Sequence, residues 1–476
     1  METAVCFEDV SFAYPNTEIP YLKNISFSVE KGECVLITGA SGCGKTTLIR
    51  MINGLIPHYF EGSMSGRLLL NGRDVNTFES WEYGQSVGSV FQDTRSQFFT
   101  SHVIDELAFA AENYGIEPSI IQERITQVLK RNQIEALRHA SLMTLSSGEK
   151  QKVAMSAVEV HQPSILVLDE PSANLDQSAC LHLAEQIKDL KASGHTVIIA
   201  DHRLYYLMDA VDRVILIADQ EIAQDWSIAQ FSQLSKAMLQ AYGLRDFQPV
   251  LINDLTHQQP VHLKDQQALL DVEELSVSFH KRAEPLLKPV NLQLRQGEIV
   301  IVSGENGIGK TTFARTLCGI NPALHGTIRI DQRPVNEKQR QHRFWYVLQD
   351  SDYQLFSDSV LHELLLGFKA SDTLVERAEQ LLWDLDLHLY KDRHPASLSG
   401  GQKQRLTFAV GLMRHPEILI LDEPTSGLDA ANMTRMVDLI HAYADQGIGF
   451  IIISHDFEFA RQLKSRVLLL QPRISD

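Results

Sequence analysis

The sequence predicts an α/β fold built twice: two tandem domains, each with a core of mixed, mainly parallel strands and an antiparallel strand layer. Three observations predict it. GECVLITGASGCGKTTLIR (32–50) returns as GEIVIVSGENGIGKTTFAR (297–315), and ILVLDEPSANLD (165–176) returns as ILILDEPTSGLD (418–429), so one unit is duplicated. Apolar runs such as ILVL and VIIA, bounded by turn residues and separated by helical patterns, have the composition of strands buried on both faces. Alternating apolar residues and a tight turn open each copy, which predicts antiparallel strands ahead of the first glycine-rich loop.

The chain has 476 residues, enough for two domains with separate cores. The first is expected over 1–235 and the second over 269–476. Between them, 236–268 includes QPVLINDLTHQQPVHLKDQQ, a polar stretch without periodicity that reads as a linker. No run approaches the roughly 18 apolar residues needed to span a bilayer. The N-terminus, METAVCFEDVSFAYP, has acidic residues where a signal peptide requires basic ones. The chain is therefore expected to stay where it is made and to reach a membrane through a partner. A net charge of −17 without any basic block argues against tracking a nucleic-acid backbone. Five widely spaced cysteines without a CxxC pair argue against a disulfide framework or a zinc site.

GASGCGKT (39–46) and GENGIGKT (304–311) both fit GxxxxGK[ST]. Gly39, Gly42 and Gly44, with Ser41, form the first loop; Gly304, Gly307 and Gly309, with Asn306, form the second. Such glycines let backbone N–H groups wrap a phosphate, and the following helix adds its dipole. Lys45 and Lys310 would reach the β- and γ-phosphates. Thr46 and Thr311 would offer a hydroxyl to Mg²⁺, with Thr47 and Thr312 beside them. Asp169 and Asp422 end apolar strands, where a carboxylate can meet a metal held at the phosphate loop. Glu170 and Glu423 follow, would point the other way along the pleat, and could polarise the water that attacks the γ-phosphate.

With these in place, LSSGEKQK (145–152) and LSGGQKQR (398–405) resemble the signature motif of ABC ATPases. Gln92 (VFQD) and Gln349 (VLQD) resemble the family's Q-loop glutamines, which also touch the metal. Leu175–Asp176 and Leu428–Asp429 resemble the D-loop, and His202 and His455 the switch histidines. Tyr14 and Phe279 stand at equal distances before the loop lysines, where the family stacks an aromatic on adenine. The resemblance covers nearly the whole chain. It implies two P-loop ATPase domains, each with a helical signature subdomain, that bind ATP and Mg²⁺ and pair head to tail within the chain. Site one would use Lys45, Asp169, Glu170 and His202, closed by Ser399, Gly400, Gly401 and Gln402. Site two would use Lys310, Asp422, Glu423 and His455, closed by Ser146, Ser147, Gly148 and Glu149. The first signature departs from the family's pattern: Ser147 replaces a glycine and Glu149 the usual glutamine. A side chain and a negative charge close to ATP are expected to make site two the slower one.

The segments after the glutamines narrow the family. QDTRSQFFTSHVIDELAF (92–109) and QDSDYQLFSDSVLHELLL (349–366) align without gaps, pairing Gln97 with Gln354, Phe99 with Phe356, Val103 with Val360 and Glu106 with Glu363. They resemble the ATPases of energy-coupling-factor transporters, as does NGLIPHYFEG (53–62). That resemblance implies an importer of a vitamin or metal ion, with transmembrane subunits and a membrane substrate-binding subunit as partners. The chain would sit at the cytoplasmic face of a prokaryotic membrane. A conventional ABC transporter ATPase shares every motif and remains an alternative. A soluble tandem translation factor is a third reading, although the charged linker or iron–sulfur domain typical of those proteins is not evident. DNA-repair ATPases would bring CxxC pairs and long insertions.

Overall fold

The computed structural model describes residues 2–15, 20–173, 175–256, 268–278, 284–369 and 371–473. The chain divides into two compact units, Met1–Pro249 and Val250–Asp476.

In the first unit, strand Thr3–Ala13 pairs antiparallel with Leu22–Glu30 on one side and Ser63–Leu70 on the other. A second, six-stranded sheet runs in the order Glu221–Ser227, Arg213–Ala218, Cys34–Gly39, Thr196–Ala200, Ile165–Asp169, Val87–Val90. Its pairs are parallel except the first. The central runs CVLITG, ILVLD and TVIIA are buried at every position, as expected for strands covered on both faces. A helical layer of Val103–Asn113, Pro118–Arg131 and Ser147–His161 closes its own core around Leu107, Ile125, Leu129 and Val153.

The second unit repeats the plan. Ala268–Ser276 pairs antiparallel with Val290–Arg295 and His325–Ile330. Five parallel strands follow in the order Phe344–Val347, Ile418–Asp422, Gly449–Ile453, Ile299–Ser303, Arg466–Leu469. Helices Val360–Leu365, Asp372–Asp384 and Gly400–Met413 form its helical layer.

The division between the units falls inside 236–268, but the span is not the free linker its composition suggests. Helix Lys236–Ala241 buries Leu239, and Leu244 joins it in the first unit's core. Val250 and Leu255 enter the core of the second. Single apolar residues, too few to set a period, anchor both ends; residues 257–267 lie outside the described set. None of the five cysteines is in a disulfide. Among the described residues no helix is long and apolar enough to cross a membrane.

Candidate functional site

Each glycine-rich loop leaves a buried strand and enters a helix, Cys34–Gly39 into Lys45–Ile52 and Ile299–Ser303 into Lys310–Leu317. Gly39 has φ +144°, and a Cβ there would lie 2.2 Å from the Ile217 carbonyl oxygen. Gly44 has φ +112°, with Leu22 Cδ2 only 2.4 Å from the same addition. Both positions therefore need glycine for space as well as for the left-handed backbone. Lys45 is buried, its ammonium donating to the carbonyls of Gly39 (3.1 Å) and Ala40 (2.9 Å). Lys310 donates to the carbonyls of Gly304 and Glu305, both at 2.9 Å. In each copy the ammonium lies over the loop's concave backbone, where a phosphate would be held.

The threonine and aspartate meet as the motif spacing suggests. Thr46 Oγ1 donates to Asp169 Oδ1 at 3.1 Å, and Thr311 Oγ1 to Asp422 Oδ2 at 3.0 Å. Burial, and then the neighbouring Glu170 charge, push the Asp169 carboxyl up to about 6. Burial also raises Asp422, while hydrogen bonds from Tyr346 and Thr311 hold it back. A hydroxyl beside a desolvated carboxylate is a hard-oxygen donor set that a divalent cation would relieve. Among the described residues no group of three or more His, Cys, Asp or Glu could hold a metal alone. The donor set fits Mg²⁺ completed by nucleotide phosphates.

The glutamates do not simply follow the strand pleat. Glu170 (φ 45°) and Glu423 (φ 49°) turn into the left-handed region just past the strand, and each N–H donates to the next strand, to Ala200 O (2.7 Å) and Ile453 O (2.9 Å). That turn, not the pleat, aims them. Gln92 Nε2 donates to Glu170 Oε2 at 2.7 Å, and His202 Nε2 stands 3.4 Å from Glu170 Oε1. His455 Nε2 stands 3.7 Å from Glu423 Oε1. The histidine loops are braced by an acid that changes place between the copies. Asp201 accepts from Ser172 Oγ (3.0 Å) and Tyr206 Oη (2.6 Å) in the first. In the second, Asp456 accepts from Thr425 Oγ1 at 3.2 Å.

Ser146 caps helix Ser147–His161 and Ser399 caps Gly400–Met413, each within a capping box. Gln402 Oε1 accepts from the Ser399 N–H at 2.9 Å. Glu149 Oε2 accepts from both the N–H (2.8 Å) and the hydroxyl (2.7 Å) of Ser146. The acidic substitution thus puts a carboxylate on its own helix N-terminus and occupies the serine hydroxyl as its hydrogen-bond donor. A Cβ at Gly400, the counterpart of Ser147, would meet nothing within 4 Å, so serine fits its own unit. Asp176 and Asp429 cap the helices Gln177–Ala192 and Ala430–Ala444, accepting from Ala179 N (2.8 Å) and Asn432 N (2.7 Å). The Tyr14 hydroxyl bonds Thr47 Oγ1 at 3.1 Å, and its ring meets Phe12 and Tyr21 edge-on. Phe279 lies outside the described residues.

The paired segments after Gln92 and Gln349 resolve into braces and one displayed ring. Gln97 accepts from Phe91 N (3.1 Å) and donates to Ser89 O (3.0 Å); Gln354 does the same with Leu348 N and Tyr346 O, both at 2.8 Å. Buried Glu106 and Glu363 accept the N–H groups of residues 99–100 and 356–357. Val103 and Val360 are fully buried. Phe99 and Phe356 project, 76% and 75% exposed. Sequence alignment marked all of these positions alike, since it cannot separate a buried brace from a displayed side chain. It also passed over Tyr346, an apparent core aromatic whose hydroxyl reaches Asp422.

A family model described as ABC transporter matches residues 22–173 and again 287–426. A Treponema denticola protein named as an ABC transporter ATP-binding protein is 42% identical over 98% of this chain and 95% of its own length. YkoD of Bacillus subtilis, named for HMP/thiamine import, is 32% identical over 97% of this chain and 89% of its own. An archaeal ABCE1, in a ribosome-bound complex with Pelota, superposes with a TM-score of 0.67 at 22% identity over 97% of this chain and 78% of its own, which establishes shared fold alone. A glycine-rich loop, a strand-end acid pair and a signature serine in each of two units, together with a family model that matches twice, make this chain an ATPase that belongs to the ABC transporter ATP-binding family.

Proposed function

We propose that the chain powers import of a micronutrient through separate membrane subunits of the energy-coupling-factor type. It would hydrolyse Mg²⁺–ATP at two sites, each formed by the phosphate loop of one cassette and the signature serine of the other. The observation that carries the transport reading is the repeated display of Phe99 and Phe356. Each ring is three-quarters exposed, its own backbone N–H held by a buried Glu and the loop before it braced by a half-buried Gln, in the same way in both copies. Such rings suit the apolar side of a coupling helix. The name of the Bacillus relative, for HMP/thiamine import, supports a vitamin-type cargo within this reading. Peripheral attachment at the cytoplasmic membrane face follows from this reading.

The test is capture of the tagged chain from detergent-solubilised native membranes. An ATPase-free transmembrane scaffold together with a small, strongly apolar binding subunit is expected. Phe99→Asp combined with Phe356→Asp should lose both while still binding ATP. A pair of conventional permeases instead would remove the energy-coupling assignment, and ribosomes would remove transport altogether.

Glu149 sets a second expectation. A carboxylate at the helix N-terminus competes with phosphate for the same dipole and for the Ser146 proton. In a Glu170→Gln background, where site one is silent, Glu149→Gln should lower the ATP concentration for half-saturation about threefold to tenfold, the scale of one ordinary hydrogen bond at roughly 0.5–1.5 kcal/mol. An unchanged titration would mean that Glu149 swings clear when ATP arrives.

A further inference from the structure

The two copies differ at the aspartate expected to meet the cation. Tyr346 lies on Phe344–Val347, beside Ile418–Asp422, in register with Ile420. It is buried, and its hydroxyl donates to Asp422 Oδ2, the oxygen that also accepts from Thr311 Oγ1. In the first copy the same register position, opposite Val167, is Ser89. Serine is too short to reach Asp169, and its Oγ accepts from Asn53 Nδ2 at 3.2 Å instead. Asn53 caps the C-terminus of the helix after the phosphate loop; Cys318 holds that place in the second copy. The pairs Asn53–Ser89 and Cys318–Tyr346 exchange bulk across one gap, so the tyrosine belongs to a coordinated difference between the copies.

We propose that Tyr346 is a positioning residue for magnesium at the second site, pinning Asp422 so that this site holds Mg²⁺–ATP at a lower cation concentration than the first. The proposal rests on the Mg²⁺–ATP reading above. A carboxylate turns easily about its last torsion. Two donors meeting on Oδ2 fix its plane and leave Oδ1 as the oxygen to face a cation. The donors also draw off some negative charge, which works against binding. Orientation outweighs that loss because Mg²⁺ demands near-octahedral geometry, and outer partners of metal-ligating groups typically govern 10–100-fold in affinity. The second site then retains nucleotide while the first turns over.

The experiment uses the full chain with Lys45→Ala, confining nucleotide to the second site, and Glu423→Gln, preventing turnover. Mn²⁺ serves as a paramagnetic stand-in for Mg²⁺ and is titrated in saturating ATP. Tyr346→Phe, which keeps the ring, should raise the Mn²⁺ concentration for half-saturation about tenfold. ATP affinity in excess chelator and the thermal midpoint should not move. Tyr346→Ser with Cys318→Asn, which installs the first copy's pair, should give the same shift. A Tyr346→Phe curve that overlays the parent overturns the proposal, as does equal loss of metal-free ATP affinity, which would make the tyrosine a packing residue. Failure of the parent chain to take up Mn²⁺ with ATP would overturn the Mg²⁺–ATP reading itself.

Discussion

Glu170→Gln is expected to reduce steady-state phosphate release by about 100-fold or more, the range lost when a positioned general base is removed. Glu423→Gln is expected to cost only severalfold. The two glutamates are built alike, each turned out of its strand by a left-handed φ and tied to the neighbouring strand through its own N–H. Each also has a histidine beside it, at 3.4 Å and 3.7 Å. The backbone turn and the histidine therefore give no reason for one to matter more. On the head-to-tail pairing proposed above, the difference is attributed to the signature that closes each site. Ser399 has a glutamine partner and glycines after it, whereas Ser146 donates a hydrogen bond from its hydroxyl to Glu149 and is followed by Ser147. If phosphate release fell further in Glu423→Gln than in Glu170→Gln, the assignment of site one as the faster site would be wrong. A Glu149→Gln chain should narrow the gap between the two variants.

Most of this arrangement was legible in the sequence because the chemistry is tied to short contiguous motifs. GxxxxGKT fixes a loop, a lysine and a threonine in one stretch, and the apolar run before Asp169 or Asp422 fixes the strand that carries the acid to it. The duplication doubled every signal. What escaped depends on contacts across strands. Tyr346 looks like any aromatic on a buried strand until the register with Ile418–Asp422 sets its hydroxyl against the acid. The glutamate orientation was expected from strand alternation, but the strand ends one residue earlier and a positive φ takes over. The span 236–268 read as a linker because anchors such as Leu239, Leu244 and Leu255 are isolated in sequence, and only folding shows that they are buried. Glu149 was expected to act by its charge. The structure adds a hydrogen bond that competes for the serine proton.

Lys45→Ala should abolish most of the thermal stabilisation that ATP gives the first unit, and Lys310→Ala that of the second. Each ammonium is held by two loop carbonyls, at 2.9–3.1 Å in the first copy and 2.9 Å in the second, close to where phosphate oxygens would take them over. Two hydrogen bonds to a charged group, at about 1.5–3 kcal/mol each, make a loss of at least 100-fold in ATP affinity the expected outcome. Ligand present at about 1,000 times its dissociation constant stabilises by about 4.1 kcal/mol, or roughly 10 °C for a unit of this size. A 100-fold weaker site would lose about 2.7 kcal/mol of that, leaving a rise of only a few degrees. Scanning calorimetry with and without ATP, in chains that also carry Glu170→Gln and Glu423→Gln, reads this without interference from turnover. The ligand-free midpoint should hardly fall, because relief of a buried charge offsets the two loop carbonyls left without their donor. An undiminished ATP shift in Lys45→Ala would mean that the backbone N–H groups of the loop and its helix dipole carry phosphate binding without the lysine.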